Sequence, residues 1–136
     1  MQFKVRDWMV DLVVFVEPDA TVAHALELMR LRYIHSLIVN KTPDSPEYGI
    51  LTSTDISDKI IAQERDPSRV KVREIMTSPL LTIPCHWSLK DCALKMREHK
   101  IHHLPVVDED GELTGMISDT DFLAAAEAMA QAPVKQ

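Results

Sequence analysis

Glycine is scarce in this chain, with three residues in 136, at positions 49, 111 and 115. Neither GxGxxG nor the GxxxxGK P-loop pattern can be written with them, so both glycine-rich phosphate-binding loops are excluded. Cysteine is scarcer still. Cys85 and Cys92 cannot supply a disulfide framework. Cys85 follows a proline in an expected turn and Cys92 falls on the apolar face of an expected helix, so both read as reduced thiols of a cytoplasmic protein. No apolar run approaches the roughly 18–20 residues that span a bilayer. The first seven residues already carry Lys4, Arg6 and Asp7 and no apolar core, so no secretory signal is expected. Positive charge is in deficit: 15 Lys and Arg against 21 Asp and Glu leave a net charge of −6. Such a balance repels a polyanion, and nucleic acid is not an expected partner.

What is present is a large apolar fraction, 46% of residues, and a repeat. Val5-Arg6-Asp7-Trp8-Met9 matches Val72-Arg73-Glu74-Ile75-Met76 at an offset of 67. At the same offset Met29, Arg30, Ile34, His35, Leu37 and Val39 recur as Met96, Arg97, Ile101, His102, Leu104 and Val106. Gly49-Ile50-Leu51-Thr52-Ser53-Thr54-Asp55-Ile56 then matches Gly115-Met116-Ile117-Ser118-Asp119-Thr120-Asp121-Phe122 at an offset of 66. The one-residue difference falls between two apolar runs, where a turn absorbs it. The chain is an internal duplication.

Each half reads as β-α-β-β-α. Short apolar runs at 12–16 and 80–83 are followed by Pro18 and Pro84, and Thr21 and Ser88 then stand as N-caps. Val22, Ala25, Leu26 and Met29, repeated as Leu89, Cys92, Ala93 and Met96, form one apolar helical stripe. Strands are expected at 36–39 and 49–52, and again at 103–107 and 115–118. Asp108-Glu109-Asp110-Gly111 supplies a tight turn in the second half, where the first has a longer polar loop at 40–48. Closing helices are expected at about 55–64 and 121–130. The expected organisation is a first repeat at 1–64, a charged linker at 65–71, a second repeat at 72–130 and a loose tail at 131–136. The fold class is α/β in the broad sense, strictly α+β. Units of about 60 residues bury too little alone, so the two are expected to pack sheet to sheet with pseudo-two-fold symmetry.

The repeat duplicates polar residues as well as core. Thr52-Ser53-Thr54-Asp55 and Ser118-Asp119-Thr120-Asp121 each join a strand to the helix it feeds. Hydroxyls and backbone N–H groups at a helix start can hold an anion, and an Asp there can accept from both hydroxyls of a ribose. Plain N-capping explains either junction alone; its recurrence at equivalent positions favours a ligand.

With Ile-His-x-Leu ahead of each junction and Val-Arg-Asp/Glu-x-Met earlier in each repeat, the chain resembles a tandem pair of CBS domains, a Bateman module, over nearly its whole length. The segment Lys100-Ile101-His102-His103-Leu104-Pro105-Val106-Val107-Asp108 is similar to its counterpart in the nucleotide-sensing subunit of AMP-activated protein kinase. The resemblance implies a non-catalytic regulatory module binding AMP, ADP or ATP, or NAD or S-adenosylmethionine, in clefts between the repeats. It implies that Asp55 and Asp121 hold ribose hydroxyls and that Thr52, Thr54, Ser118 and Thr120 face phosphate or ribose. It further implies that His102 and His103 approach phosphates, that Thr82, Ile83 and Ile101 line adenine, and that Pro105 belongs to the ligand-binding segment.

The first repeat departs from this pattern, with Ile38 in place of Pro105 and Ser36 in place of His103, leaving His35 as its basic group. Neither a metal-ligand set nor an activated nucleophile stands out. Met9, Met76, Trp8 and Trp87 read as packing residues. Ile56, Ile60 and Ile61, with Phe122, Leu123, Ala126 and Met129, offer apolar surface for a homodimer. The competing reading is a structural dimerisation or docking module with vestigial clefts, serving an effector protein.

Overall fold

A computed structural model describes residues 3–131. The expected tail lies outside the described residues, apart from Gln131. In chain order the elements are α1 (Val5–Trp8), β1 (Phe15–Val16), α2 (Val22–Arg32), β2 (Ser36–Val39), β3 (Gly49–Thr52), α3 (Ser53–Ile56), β4 (Ile83–Pro84), α4 (Leu89–His99), β5 (His103–Val107), β6 (Leu113–Ser118) and α5 (Asp119–Gln131). A π-helical stretch, Ser57–Ile61, continues α3, and short 3-10 turns cover Pro67–Arg69 and Val72–Glu74. The fold is α+β with two three-stranded sheets, ordered β1-β2-β3 and β4-β5-β6. In each, the first pair is parallel and bridged by a helix, while the second pair is antiparallel.

The repeated helices start and stop by the same devices. The Thr21 and Ser88 hydroxyls accept from the backbone N–H groups of His24 and Asp91, both at 3.1 Å. Tyr33 and Lys100 end α2 and α4 in the left-handed region, each at φ 55°, closing the last turn as a C-cap does. Val22, Ala25 and Met29 of α2 are buried, as are Leu89, Cys92 and Met96 of α4. Leu26 is half-buried and Ala93 exposed, so the stripe is narrower than its spacing suggests. Burial pushes the Cys92 thiol up to about 11, against a smaller lowering pull from Lys95, which keeps it protonated and inert.

The chain divides into two compact units that do not coincide with the sequence repeats. One spans Val13–Leu81; the other joins the described residues up to Leu12 to those from Thr82 onward. Each leading segment therefore packs in the unit of the other repeat's sheet, with the same hydrogen bonds in both. Val5 N–H donates to Trp87 O and Arg6 N–H to Cys85 O; correspondingly, Val72 N–H donates to Ala20 O and Arg73 N–H to Pro18 O. Val10 and Met116 exchange two backbone bonds of 2.9 Å, as do Thr77 and Ile50. Val70, Val72 and Ile75 accordingly join Val16, Leu37, Val39 and Leu51 in one core.

Three expectations need adjustment. The first closing helix begins at Ser53 and widens at Ser57, with Ala62 N–H donating to Ser57 O and Arg65 N–H to Ile60 O, both five residues back. Ile60 is 1% exposed and belongs to the core, so it offers no surface to a second copy, whereas Ile61 is 69% exposed. Strand β6 starts at Leu113, with a register irregularity between Val106 and Val107 in its partner.

Candidate functional site

The strand–helix junctions are where the repeat places its polar side chains, and the two are built differently. In the first, Thr52 caps α3 in a reciprocal box. The Asp55 Oδ2 atom accepts from Thr52 N–H at 3.0 Å and from the Thr52 hydroxyl at 3.3 Å. Its Oδ1 atom accepts from Lys59 Nζ at 2.9 Å and from the Thr77 hydroxyl at 3.3 Å. The lysine also donates to Ile75 O at 2.8 Å. Asp55 is 6% exposed. A carboxylate offers about four lone-pair positions, and four donors occupy them here.

In the second junction the Asp121 Oδ2 atom accepts from Ser118 N–H at 2.9 Å and the Ser118 hydroxyl at 3.3 Å. Its Oδ1 atom has no hydrogen bond and the residue no ion pair among the described residues. The Ser118 and Thr120 hydroxyls lie 2.7 Å apart. His102 Nδ1 is 3.0 Å from Asp119 Oδ2, and Asp119 N–H donates to His102 O. His103 opens β5 directly opposite Ser118. His102 precedes the strand rather than lying on it.

Around the head of α5 the structure thus gathers His102, His103, Ser118, Thr120 and Asp121. Ile101 is half-buried just before them, its N–H bonded to Met96 O. Thr82, Ile83 and Pro105 stand apart from that group. Ile83 is fully buried and pairs with Val106, three residues along β5 from His103, roughly 10 Å at the strand rise. Pro105 is buried in the middle of the strand, and the carbonyl of the half-buried Thr82 accepts from Lys95 Nζ at 3.3 Å. In the other unit, His35 and Thr54 are exposed near Thr52 and Asp55. His35 borders a pocket of about 450 Å³ with Met29, Tyr33, Ile34, Ser53 and Ile56, which does not include Asp55.

Sequence reasoning missed Lys59 and Thr77. Overlaying the repeats places Lys59 against Ala125 and Thr77 against Val10, so the second junction lacks both donors. The π turn explains the geometry. Ile60, the fifth residue after Asp55, takes a buried place like that of Ala125, the fourth after Asp121. Lys59 is thereby left to turn back on the carboxylate.

The architecture is that of a duplicated α+β module. The CBS domain family matches residues 5–62 and 72–128, and the chain belongs to that family as a tandem pair. It is 32% identical over 118 residues to the CBS domain-containing protein YhcV of Bacillus subtilis, covering 87% of this chain and 81% of that one. The hexameric CBS-CP12 protein of bloom-forming cyanobacteria superposes with a TM-score of 0.86 at 30% identity, over 99% of this chain and 78% of that one. The Pyrobaculum aerophilum CBS domain protein PAE2072, solved in complex with AMP, shares the fold at a TM-score of 0.77 and 23% identity, over 96% of this chain and 100% of that one. Some relatives are longer: the chain spans 56% of an uncharacterised Methanopyrus kandleri protein and 19% of the inosine-5'-monophosphate dehydrogenase of Bifidobacterium longum. No helix among the described residues is long and apolar enough to cross a membrane.

Proposed function

We propose that this chain is a non-catalytic regulatory module that binds an adenosine nucleotide of the AMP, ADP or ATP class. The observation that carries the reading is the open Oδ1 of Asp121, beside the Ser118 and Thr120 hydroxyls at the head of a 13-residue helix. An acceptor placed there suits the vicinal hydroxyls of ribose. In this reading His102 and His103 approach the phosphates of such a ligand, Thr82, Ile83 and Ile101 line its adenine, and Pro105 belongs to the ligand-binding segment. The AMP-bound protein of the same fold supports this reading. Binding is expected to change shape or assembly, and the module to self-associate as a homodimer through Leu123, Met129 and Ile61, all exposed.

Thermal unfolding with AMP, ADP, ATP, NAD and S-adenosylmethionine tests this. A ligand at ~100 times its dissociation constant adds roughly 2.7 kcal/mol of stability. The expected result is a clear upward shift with one or more of the three adenine nucleotides. No shift with AMP, ADP or ATP would contradict the proposal.

A further inference from the structure

We infer that Lys59 closes the first junction, so that each chain takes up one adenosine nucleotide, at Asp121, and not two; this rests on the reading of Asp121 as the ribose acceptor. The two junctions share backbone, cap and aspartate but differ in what reaches the carboxylate. Asp55 already accepts from four donors, and the shortest of these contacts is the 2.9 Å bond from the Lys59 ammonium. A diol arriving there finds no vacant lone pair and would have to displace an ion pair. The Lys59 side chain is 38% exposed against 7% for that of Asp55, so the lysine is the group standing between this carboxylate and solvent. It is held from its far side as well, by the Ile75 carbonyl at 2.8 Å. At the matching sequence positions Asp121 has Ala125 and Val10 in place of a lysine and a threonine, and its second oxygen keeps its capacity to accept.

Removing the lysine leaves Asp55 bonded to Thr52 and Thr77 through three donors, so its carboxylate stays anchored while the one acceptor position that the lysine held opens. Lys59→Ala therefore gains a site, an unusual direction for a substitution. Isothermal titration of the whole chain with AMP reads the stoichiometry. The expected values are one AMP per chain for the wild type, two for Lys59→Ala, none within about 30-fold of the wild-type affinity for Asp121→Ala, and one again for the double variant. Two AMP per wild-type chain overturns the inference, and so does a folded Lys59→Ala chain that still takes one. Should Lys59→Ala not fold, Lys59→Met keeps the aliphatic stem and carries the same expectation and the same reversal. If the wild type binds none of AMP, ADP and ATP, the nucleotide reading fails and the inference falls with it; if it binds only ADP or ATP, the same titrations are made with that nucleotide and carry the same expectations. A wild type that takes up AMP separates that failure from one confined to Lys59.

Discussion

Gly115 and Gly49 hold equivalent places in β6 and β3, and at each the absent side chain makes room for the segment packed across the strand. A Cβ at Gly115 would lie 2.6 Å from Val10 O and 2.9 Å from Met9 Sδ. At Gly49 the nearest atoms would be Met76 Sδ at 2.8 Å and Thr77 O at 3.1 Å. Backbone yields less readily than a thioether. Gly115→Ala should therefore cost about 1–3 kcal/mol and Gly49→Ala less, measured by urea unfolding; equal or negligible losses would contradict this packing. The repeat marks both glycines and both methionines, but not that they meet. Each methionine lies near the start of one repeat in sequence and packs on the glycine of the other. Lys59 was readable in principle, since the overlay that pairs Asp55 with Asp121 also pairs lysine with alanine. What the overlay lacks is direction: only the coordinates show the ammonium turned back on its own helix.

At the scale of the element, the α2 and α4 helices were the most legible, because cap and apolar stripe agree. Their caps can be weighed. Thr21→Ala and Ser88→Ala each remove the acceptor of one N-terminal N–H and should cost about 1 kcal/mol; urea midpoints unchanged in both variants would show that the caps carry no weight. The β2 and β3 strands were also read at their observed bounds. The widened turn after α3 was not, since Ile56, Ile60 and Ile61 suit an α-helical stripe as well as a π turn. The difference lies in one backbone bond per residue, five back rather than four, which side-chain periodicity does not encode. It decides which isoleucine is core and which is surface.

For the molecule as a whole, the duplication was legible and the exchange of leading segments was not, because a repeat in sequence says nothing of which copy each segment joins. The exposed Ile61, Leu123 and Met129, at 69%, 72% and 48%, are apolar surface of the kind that marks association. Sedimentation equilibrium at tens of micromolar should give twice the 15.4 kDa of one chain, and a purely monomeric species would rule the homodimer out. The central claim concerns Asp121, and the most direct measurement of it is calorimetric titration of AMP into the wild type and into Asp121→Ala. With its acceptor gone, a ribose held through hydrogen bonds to a charged group should lose roughly 2–3 kcal/mol, a weakening of about 30-fold or more. A folded Asp121→Ala chain that binds AMP as tightly as the wild type would contradict the account.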